Sequence, residues 1–310
     1  MTNSPDSTDA RERLQDWWRT DLVDIGSGVI RIAGYPIEEL IGRLGIGGIT
    51  WLLLRGELPT PVQESLLEAA IVAGVSHGPR APSIAIAQMA MTCGVGINNA
   101  MASGINALGD VHGGAGQQAM ELYTRVLKRM QSGETQDEAV VAEVDAELQS
   151  TAYIPGFGHR VHAVDPRVAP LLDCLEDART KQAIEGRFVE IGKAVGKDLS
   201  DRKGRHITMN IDGITAIVYA ELGLEPVVGR GLFVLSRSIG IMAHAWEQQQ
   251  RKERIKGPMP PGFQSTYVGA DPRSAAHLDR RLGKPAAQGK SDQETPYTEQ
   301  EGSGDETGTI

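Results

Sequence analysis

A succession of apolar stripes at helical spacing is the feature that most constrains how this chain folds. Thr60-Pro61-Val62-Gln63 and Thr135-Gln136-Asp137-Glu138 are both capping boxes, in which a threonine and a Gln or Glu three positions later satisfy free backbone groups at a helix start. Around these boxes, apolar residues recur every three or four positions, and strands do not alternate with helices. The pattern predicts an all-α fold of helices joined by short loops.

The predicted helices cover most of the chain from residue 36 to residue 256. Pro36 is predicted to open a helix whose apolar face is Ile37, Leu40, Ile41 and Leu44. Residues 26–32 are predicted to form a short strand or an extended arm. Further helices are predicted at 49–54, 61–74, 83–93, 98–108, 119–130, 136–148, 167–177, 184–199, 207–222 and 229–256.

Composition and charge narrow the possible functions. The chain has 310 residues, of which 40% are hydrophobic, enough for one large domain or two modest ones. A net charge of −9 argues against nucleic acid or an anionic membrane as the main partner. Only Cys93 and Cys174 are present, so no disulfide framework is predicted, and we find neither a signal peptide nor an apolar run of about 18 residues. We therefore expect a cytoplasmic protein that acts on small molecules.

Both ends of the chain are too polar to bury a core. Residues 1–12 are predicted to be disordered, and residues 270–310 are predicted to form a disordered, acidic tail. Residues 291–310 contain six carboxylates and no Lys or Arg, and Tyr297 and Ile310 are their only large apolar side chains.

The segment Tyr153–Arg167, which reads YIPGFGHRVHAVDPR, is the strongest candidate for a functional loop. Gly156 and Gly158 allow backbone conformations that other residues avoid, and prolines near both ends favour a loop over a helix. Ordering a loop so rich in glycine and ionisable groups is costly, which is typical of loops that bind a ligand or carry chemistry. The alternative is a solvated turn with incidental histidines.

Several other polar residues stand out against their surroundings. His77 and His112 lie in glycine-rich breaks between helices, Asp212 lies at an apolar helix start, and Arg167 and Arg237 complete the set. Each has an ordinary structural alternative: a loop histidine is often solvated, Asp212 is a possible helix N-cap, and Arg237 a possible snorkelling side chain. We assign no function to His162 or His206. His159 and His162 lie three residues apart, but no further ligand pair at metal-site spacing supports a metal site.

Taken together, these residue types match one kind of chemistry. A carboxylate in an apolar setting has a raised pKa and is a good proton acceptor. Neutral imidazoles stabilise an enolate oxygen or polarise a carbonyl, and arginines bind carboxylates through two hydrogen bonds. Such a set is suited to removing a proton next to a thioester and joining the carbon to a ketoacid, or to the reverse cleavage.

Three segments in order, GDVHGG, GHRVHAVDPR and NIDG, resemble the catalytic segments of the citrate synthase superfamily. Within it, GIGGITWLLLRGELP, SHGPRAPS and FVLSRSIGIMAHAWEQ resemble the citryl-CoA lyases and the citryl-CoA-cleaving domain of ATP-citrate lyase. The resemblance covers residues 34–269. It implies an all-α fold and a homodimer, with a large helical domain at 13–113 and 225–269 and a small inserted domain at 114–224.

The resemblance also implies a role for each matched residue. His112 would hold the thioester carbonyl, Asp212 would be the base at the acetyl methyl, and His159 would polarise the ketoacid carbonyl. His77, Arg167 and Arg237 would bind substrate carboxylates. Coenzyme A, a substrate and the only cofactor-like group expected, would meet Ile154, Pro155, Gly156, Phe157, Gly158 and Arg160. We expect no metal.

Two departures from the superfamily pattern affect function. The arginine that the partner subunit normally supplies would fall near Gly257, so Lys256 or Arg254 is expected to take its role. A nucleotide-binding, citrate-activating region is not found in the sequence, so a lyase would need citryl-CoA from a separate synthetase. The implied activity is cleavage or formation of the bond between an acetyl-CoA enolate and oxaloacetate. The alternatives are a citrate or 2-methylcitrate synthase and a non-catalytic helical binding module.

Overall fold

The computed structural model describes residue 17 and residues 19–159, 161–260 and 262–275. The predictions for residues 1–12, for Arg160 and for the tail beyond residue 275 lie outside the described residues. The chain divides into two compact units, Met1–Met259 and Pro260–Ile310, and the first contains every helix and strand named below. The proposed division into a large and a small inserted domain stays a prediction.

A small antiparallel sheet precedes the helices. Its strands are β1 (Val23–Gly26), β2 (Val29–Ile32) and β3 (Tyr35–Pro36), paired in the order β1-β2-β3. Asp24 lies opposite Arg31, and their side chains form an exposed ion pair at 2.8 Å. The segment predicted as a short strand or an extended arm is therefore most of a β-hairpin.

Eleven helices follow within the described residues. They are α1 (Ile37–Leu40), α2 (Ile46–Arg55), α3 (Pro61–Gly74), α4 (Pro82–Thr92), α5 (Ile97–Asn106), α6 (Ala115–Gln131), α7 (Gln136–Ser150), α8 (Val168–Thr180), α9 (Arg187–Lys203), α10 (Ile211–Glu221) and α11 (Pro226–Gln250).

The prediction for the first of these helices was wrong beyond one turn. Helix α1 ends at Leu40, and Gly42 adopts a left-handed backbone conformation with φ of 77°. Leu40 is buried, whereas Ile41 is 71% exposed. The apolar spacing continued past the point where the backbone turns away, so the spacing alone overestimated the helix.

Both predicted capping boxes are present. The Thr60 Oγ1 accepts the Gln63 N–H at 3.3 Å, and the Gln63 side chain accepts the Thr60 N–H at 2.9 Å. Thr135 and Glu138 form the same pair of bonds at the start of α7. Such a cap contributes about 1 kcal/mol to helix stability, and the mostly helical fold predicted from the sequence is confirmed.

Helix α11 organises one side of the first unit by packing against α3, α4, α5 and α6. It is long and apolar enough, by length and composition, to cross a membrane, although it carries Arg230 and Arg237. A Cβ at Gly240 would overlap the Val75 carbonyl, so helix and loop touch through their backbones. These contacts pack one side of α11 against the other helices of the first unit, and 33% of its apolar stretch is buried.

The buried apolar residues of the described chain form two clusters. The smaller cluster joins α4, α5 and α11 through residues such as Ile84, Ala100 and Ile241. The larger contains residues of α2, α3 and α6 to α11. The loop that carries His112 leaves α5, which contributes to the smaller cluster, and enters α6, which contributes to the larger one.

Candidate active site

His112 is held as a neutral imidazole by the start of α4. Its Nε2 accepts the backbone N–H of Ser83 at 3.2 Å and lies 3.0 Å from the Ser83 Oγ. That N–H belongs to the first turn of α4, where backbone donors lack partners within the helix. Because Nε2 accepts a proton donor, the ring proton resides on Nδ1. Burial, followed by the charge of Arg237, lowers the pKa of His112, so the ring is a neutral donor at pH 7.

Asp212 lies in the first turn of α10, but it is not the N-cap. Asn210 is the cap, and its side-chain oxygen accepts the N–H groups of Asp212 and Gly213 at 3.0 and 3.3 Å. The Asp212 carboxyl is left free and faces the start of α6, where a Cβ at Gly116 would lie 3.7 Å from it. Burial raises the pKa of the Asp212 carboxyl, and the charge of Arg237 offsets part of that rise.

The glycine loop is attached to the segment that leads into α10. The Gly158 N–H donates to the Thr208 carbonyl at 2.7 Å, and the Asn210 N–H donates to the Gly156 carbonyl at 3.0 Å. The Asn210 amide also donates to the Gly158 carbonyl at 2.8 Å. These bonds attach Gly158, the residue before His159, to Asn210, which lies two positions before Asp212.

Gly156 and Gly213 allow this attachment. Gly156 has φ of 86°, and a Cβ built on it would lie 2.7 Å from the Gly213 Cα. A Cβ on Gly213 would in turn overlap the Gly156 carbonyl. Larger residues at either position would push the loop away from α10, so the glycines predicted to shape a functional loop are needed for a backbone-to-backbone contact.

His159 presents a proton donor to the site. Its Nδ1 accepts the backbone N–H groups of Val161 and His162, each at 3.0 Å. A neutral imidazole that accepts at Nδ1 carries its proton on Nε2. Desolvation, followed by the neighbouring His162, lowers the pKa of His159, so the neutral form prevails at pH 7.

Three imidazoles lie together at this point. The ring centroids of His77 and His159 are 5.1 Å apart, those of His159 and His162 4.5 Å, and those of His77 and His162 5.9 Å. One nitrogen of each lies within 4.8 Å of the others, close enough for a metal ion. The protonated Nε2 of His159, however, favours an oxygen acceptor over a metal, which needs a free nitrogen lone pair.

Asp165 fixes Arg167 at the end of the loop. Asp165 is fully buried, and its carboxylate accepts the Nε and the terminal nitrogen of Arg167 at 2.9 and 2.7 Å. The same carboxylate accepts the Ile211 N–H at 3.1 Å, which ties Arg167 to the start of α10. Burial alone would raise the pKa of Asp165, but the hydrogen bonds and charge of Arg167 outweigh it and lower the pKa.

Arg237 is the buried cation of the site. It is 4% exposed, its Nε donates to the Gly74 carbonyl at 3.2 Å, and its guanidinium lies 4.9 Å from the Phe233 ring centre. After desolvation, the charge of Arg237 is among the causes that lower the pKa of His77 and of His112. It also acts on Asp212, so the structure brings these residues into one electrostatic neighbourhood.

A side-chain relay supports the His77 turn. The Ser76 Oγ accepts the Gly78 N–H at 3.1 Å and contacts the His244 Nε2 at 3.1 Å. The His244 Nδ1 lies 3.4 Å from Glu247. His77 is therefore flanked by two residues whose positions α11 determines.

Lys256 and Arg254 lie away from this neighbourhood within their own chain. The Lys256 N–H donates to Thr92, at the far end of α4 from Ser83, a separation of about 13 Å along the helix. Its Nζ contacts Glu253 at 2.8 Å and Gln248 at 3.4 Å. A role for Lys256 in this site requires a second subunit, and stays a prediction.

Sequence reasoning missed several residues that hold the site together. Asn210 precedes an apolar helix, a cap signal that was within reach, and the Asp-Pro-Arg order at 165–167 permits a local ion pair. Ser83 and the relay from Ser76 to His244 carry no sequence signal, because each bond joins residues far apart in the chain.

The comparisons with known proteins agree with this fold. A family model described as citrate synthase, C-terminal domain, matches residues 59–258. A citrate synthase from Deinococcus radiodurans is 31% identical over 207 residues, which are 66% of this chain and 52% of the relative. A citryl-CoA lyase from Hydrogenobacter thermophilus has a TM-score of 0.74 and 28% identity, covering 86% of this chain and all of that one. An ATP citrate lyase from Methanothrix soehngenii, in complex with citrate and coenzyme A, has a TM-score of 0.70 and 22% identity, covering 86% and 45%.

The helical architecture and its similarity to these structures define a protein with a citrate-synthase-like fold. The family match extends over most of the described residues, and the chain belongs to the citrate synthase family. It spans about half the length of the curated citrate synthases that it matches, 52% and 56% in two of them.

Proposed function

We propose that this chain is a citryl-CoA lyase-type enzyme that cleaves, or forms, the bond between an acetyl-CoA enolate and oxaloacetate. The observation that carries the proposal is that a desolvated carboxyl, Asp212, shares charged neighbours with two imidazoles that each keep an N–H donor: Arg237 acts on both Asp212 and His112, and Arg167 acts on both Asp212 and His159. The full-length match to a citryl-CoA lyase supports the same reaction.

The thioester half of the reaction belongs to His112 and Asp212. In the condensing direction, Asp212 removes a proton from the acetyl methyl, and the enolate oxygen accepts the Nδ1–H of His112. The lowered pKa of His112 keeps it a hydrogen-bond donor without a formal charge. Cleavage uses the same groups in reverse, and the enolate carbon takes its proton from Asp212.

The ketoacid half belongs to His159 and the cations. The ketone oxygen accepts the Nε2–H of His159, which makes the carbonyl carbon more electrophilic toward the enolate. As the carbon–carbon bond forms, the alkoxide takes this proton and becomes the citryl hydroxyl, and in cleavage the hydroxyl proton returns to the His159 Nε2. Arg167, Arg237 and His77 provide donors for the carboxylates. Arg167 is held in one orientation by Asp165, which favours a substrate placed in a single pose.

Most backbone groups of residues 154–158, which were predicted to contact coenzyme A, already form hydrogen bonds within the chain. The Gly156 and Gly158 carbonyls and the Phe157 and Gly158 N–H groups all have partners in the chain. Ile154 and Phe157 are buried in the larger core cluster. These five residues therefore shape the loop, while direct contact with coenzyme A stays a prediction, as it does for Arg160.

The second candidate is a citrate or 2-methylcitrate synthase, which adds hydrolysis of the citryl thioester. The 31% identity to the Deinococcus radiodurans citrate synthase favours it. Both reactions use the same acid and base, so the acid–base residues do not separate them. The non-catalytic alternative is disfavoured because His112, His159 and Asp212 are all present, each imidazole keeps an N–H to donate, and burial raises the pKa of Asp212.

The deciding experiment supplies each substrate in turn to the purified protein. A lyase converts citryl-CoA into oxaloacetate and acetyl-CoA and releases no free thiol. A synthase generates free thiol from acetyl-CoA and oxaloacetate. If neither oxaloacetate nor thiol is produced from either set of substrates, the proposed function is wrong.

We also propose a homodimer, with α11 at the interface. Leu235, Ile239, Met242 and Trp246 fall at helical spacing on α11 and remain exposed. Light scattering is expected to give about twice the 33.3 kDa of one chain. Met242→Glu should yield monomers with reduced activity, whereas Val141→Glu, on the exposed side of α7, should not. A fully active monomer contradicts this proposal.

Lys256 is predicted to reach the site of the partner subunit. Lys256→Ala should then weaken ketoacid binding by about 2 kcal/mol and leave coenzyme A binding unchanged, because one partner of a charge pair is removed. The lower end of the usual cost applies, since Lys256 gives up its contact with Glu253 on binding. KM is measured for each substrate in Lys256→Ala, Lys256→Arg and Arg254→Ala. An effect in Arg254→Ala alone transfers the role to Arg254.

If the chain acts as a lyase, a separate citryl-CoA synthetase is the proposed source of its substrate. The cytoplasmic location and the absence of a cofactor or metal beyond the coenzyme A thioester stay predictions.

A further inference from the structure

The cluster of three imidazoles contains one member with no assigned role. His77 and His159 have expected roles in binding the ketoacid, whereas His162 was given none. Its ring lies 4.5 Å from that of His159 and 5.9 Å from that of His77, and it is partly buried. Among the described residues, none forms a hydrogen bond with the His162 imidazole, so its ring nitrogens are available to a ligand.

The charges near the cluster are partly matched within the protein, so a ligand with two carboxylates would gain from a further hydrogen-bond donor. The Arg167 guanidinium already gives two bonds to the buried Asp165 carboxylate, so much of its charge is matched within the protein. The Arg237 Nε–H donates to a backbone carbonyl, and the charge of Arg237 also interacts with Asp212. Because Asp165 occupies one edge of the Arg167 guanidinium, a ligand with two carboxylates meets fewer free charged donors than two unengaged arginines would offer, which leaves a role for a donor from His162 beside that of His77.

The backbone and the side chain of His162 have separate tasks. Its backbone N–H donates to the His159 Nδ1 at 3.0 Å and helps to set the His159 tautomer. Its imidazole points its available nitrogen toward the same 4.8 Å neighbourhood as His77 and His159. A side-chain substitution at position 162 therefore removes a donor without removing the bond that orients His159.

We infer that His162 is a specificity-determining residue that donates a hydrogen bond to the second carboxylate of a dicarboxylic 2-oxoacid. The inference rests on the proposed function and adds to it the residue that recognises the second carboxylate. His162 selects a dicarboxylic over a monocarboxylic 2-oxoacid, because only the former has an acceptor at that position. No chemical step is assigned to His162.

The test compares His162→Phe, which keeps a planar ring without a donor, with His162→Gln, which keeps an N–H donor. His162→Phe should raise KM for oxaloacetate about tenfold, the effect of losing one hydrogen bond to a charged group, with kcat and the acetyl-CoA KM nearly unchanged. His162→Gln should restore much of the affinity, and the smaller affinity for pyruvate should not change in either variant. His206→Phe, at an exposed histidine outside the cluster, is the matched control.

Each other outcome overturns the inference. An oxaloacetate KM unchanged in His162→Phe, or a fall in kcat alone, removes His162 from substrate binding while the proposed function stands on the wild-type activity. Calorimetry with oxaloacetate gives the same comparison without turnover. If the wild type binds Co²⁺ with a tetrahedral absorption spectrum that His162→Phe lacks, the cluster is a metal site instead. A wild type without activity on either substrate set counts against the proposed function itself.

Discussion

Replacing Asp212 with Asn is expected to lower turnover by about 10²–10⁴-fold while the fold and acyl-CoA binding remain intact, as for removal of a general base. The amide cannot take the methyl proton, and it cannot return one in the cleavage direction. The N-cap of α10 is unaffected, because Asn210 bonds to backbone N–H groups rather than to the Asp212 side chain. The measurement is kcat in both directions, with circular dichroism as the check on folding.

The pH dependence of the wild type gives a second measurement on the same residue. Burial raises the pKa of Asp212 above that of an ordinary aspartate. Condensation needs the carboxylate, so its rate should rise as pH rises through this raised pKa. Cleavage needs the protonated carboxyl, so the rate of cleavage should fall as pH rises through the same pKa. Asp173→Asn, at an exposed aspartate of α8, is the control and should change neither pH profile. Full activity in a folded Asp212→Asn protein would show that Asp212 is not the base.

Asp165→Asn is expected to lower the free energy of unfolding by about 3 kcal/mol. Removing one partner of a buried ion pair typically costs about 3–5 kcal/mol, and the lower figure applies because Arg167 keeps some contact with solvent. The variant also loses the charge that orients Arg167, so KM for the ketoacid should rise. Denaturant unfolding measures the first effect and steady-state kinetics the second. Asp24→Asn breaks the exposed pair with Arg31 and should cost less than about 1 kcal/mol.

The stability difference at Asp165 should depend on pH in a defined direction. The folded state lowers the pKa of Asp165, so its contribution is fully present above the unfolded pKa of about 3.9 and disappears as pH falls through the folded value. The gap between wild type and Asp165→Asn should therefore be constant near pH 7 and shrink on acidification below about pH 4. A gap that does not change with pH would mean that packing, not charge, accounts for the loss.

The fold was largely predictable because its signals are local. The capping boxes at Thr60 and Thr135 each lie within four residues, and helical periodicity can be recognised in any helix that packs one apolar face against the core. The predicted end of the first helix was wrong because apolar spacing is the only signal that was used there. The spacing of Ile41 and Leu44 does not report the left-handed conformation of Gly42, which follows the end of the helix.

The candidate site was predictable in its residue types but not in its supports. His112, His159 and Asp212 are polar residues in sequence contexts that ask for an explanation, and the structure brings them together with Arg167 and Arg237. The Ser83 N–H that sets the His112 tautomer lies 29 positions away in the chain. The His244 that supports the turn at His77 lies 168 positions from Ser76. Bonds over such separations are decided by tertiary packing, which spacing does not encode.

The contact between Gly156 and Gly213 has a mechanical consequence. Two backbones that touch without intervening side chains have no compressible layer between them, so the loop of His159 and the first turn of α10 move as one rigid piece. His112 is mounted elsewhere, on the start of α4. A displacement of α4 relative to α10 would therefore move His112 relative to Asp212 and leave the contact between Gly156 and Gly213 as it is. Under the proposed roles, the donor to the ketone and the base at the methyl would keep their spacing, whereas the donor to the thioester oxygen would shift relative to both.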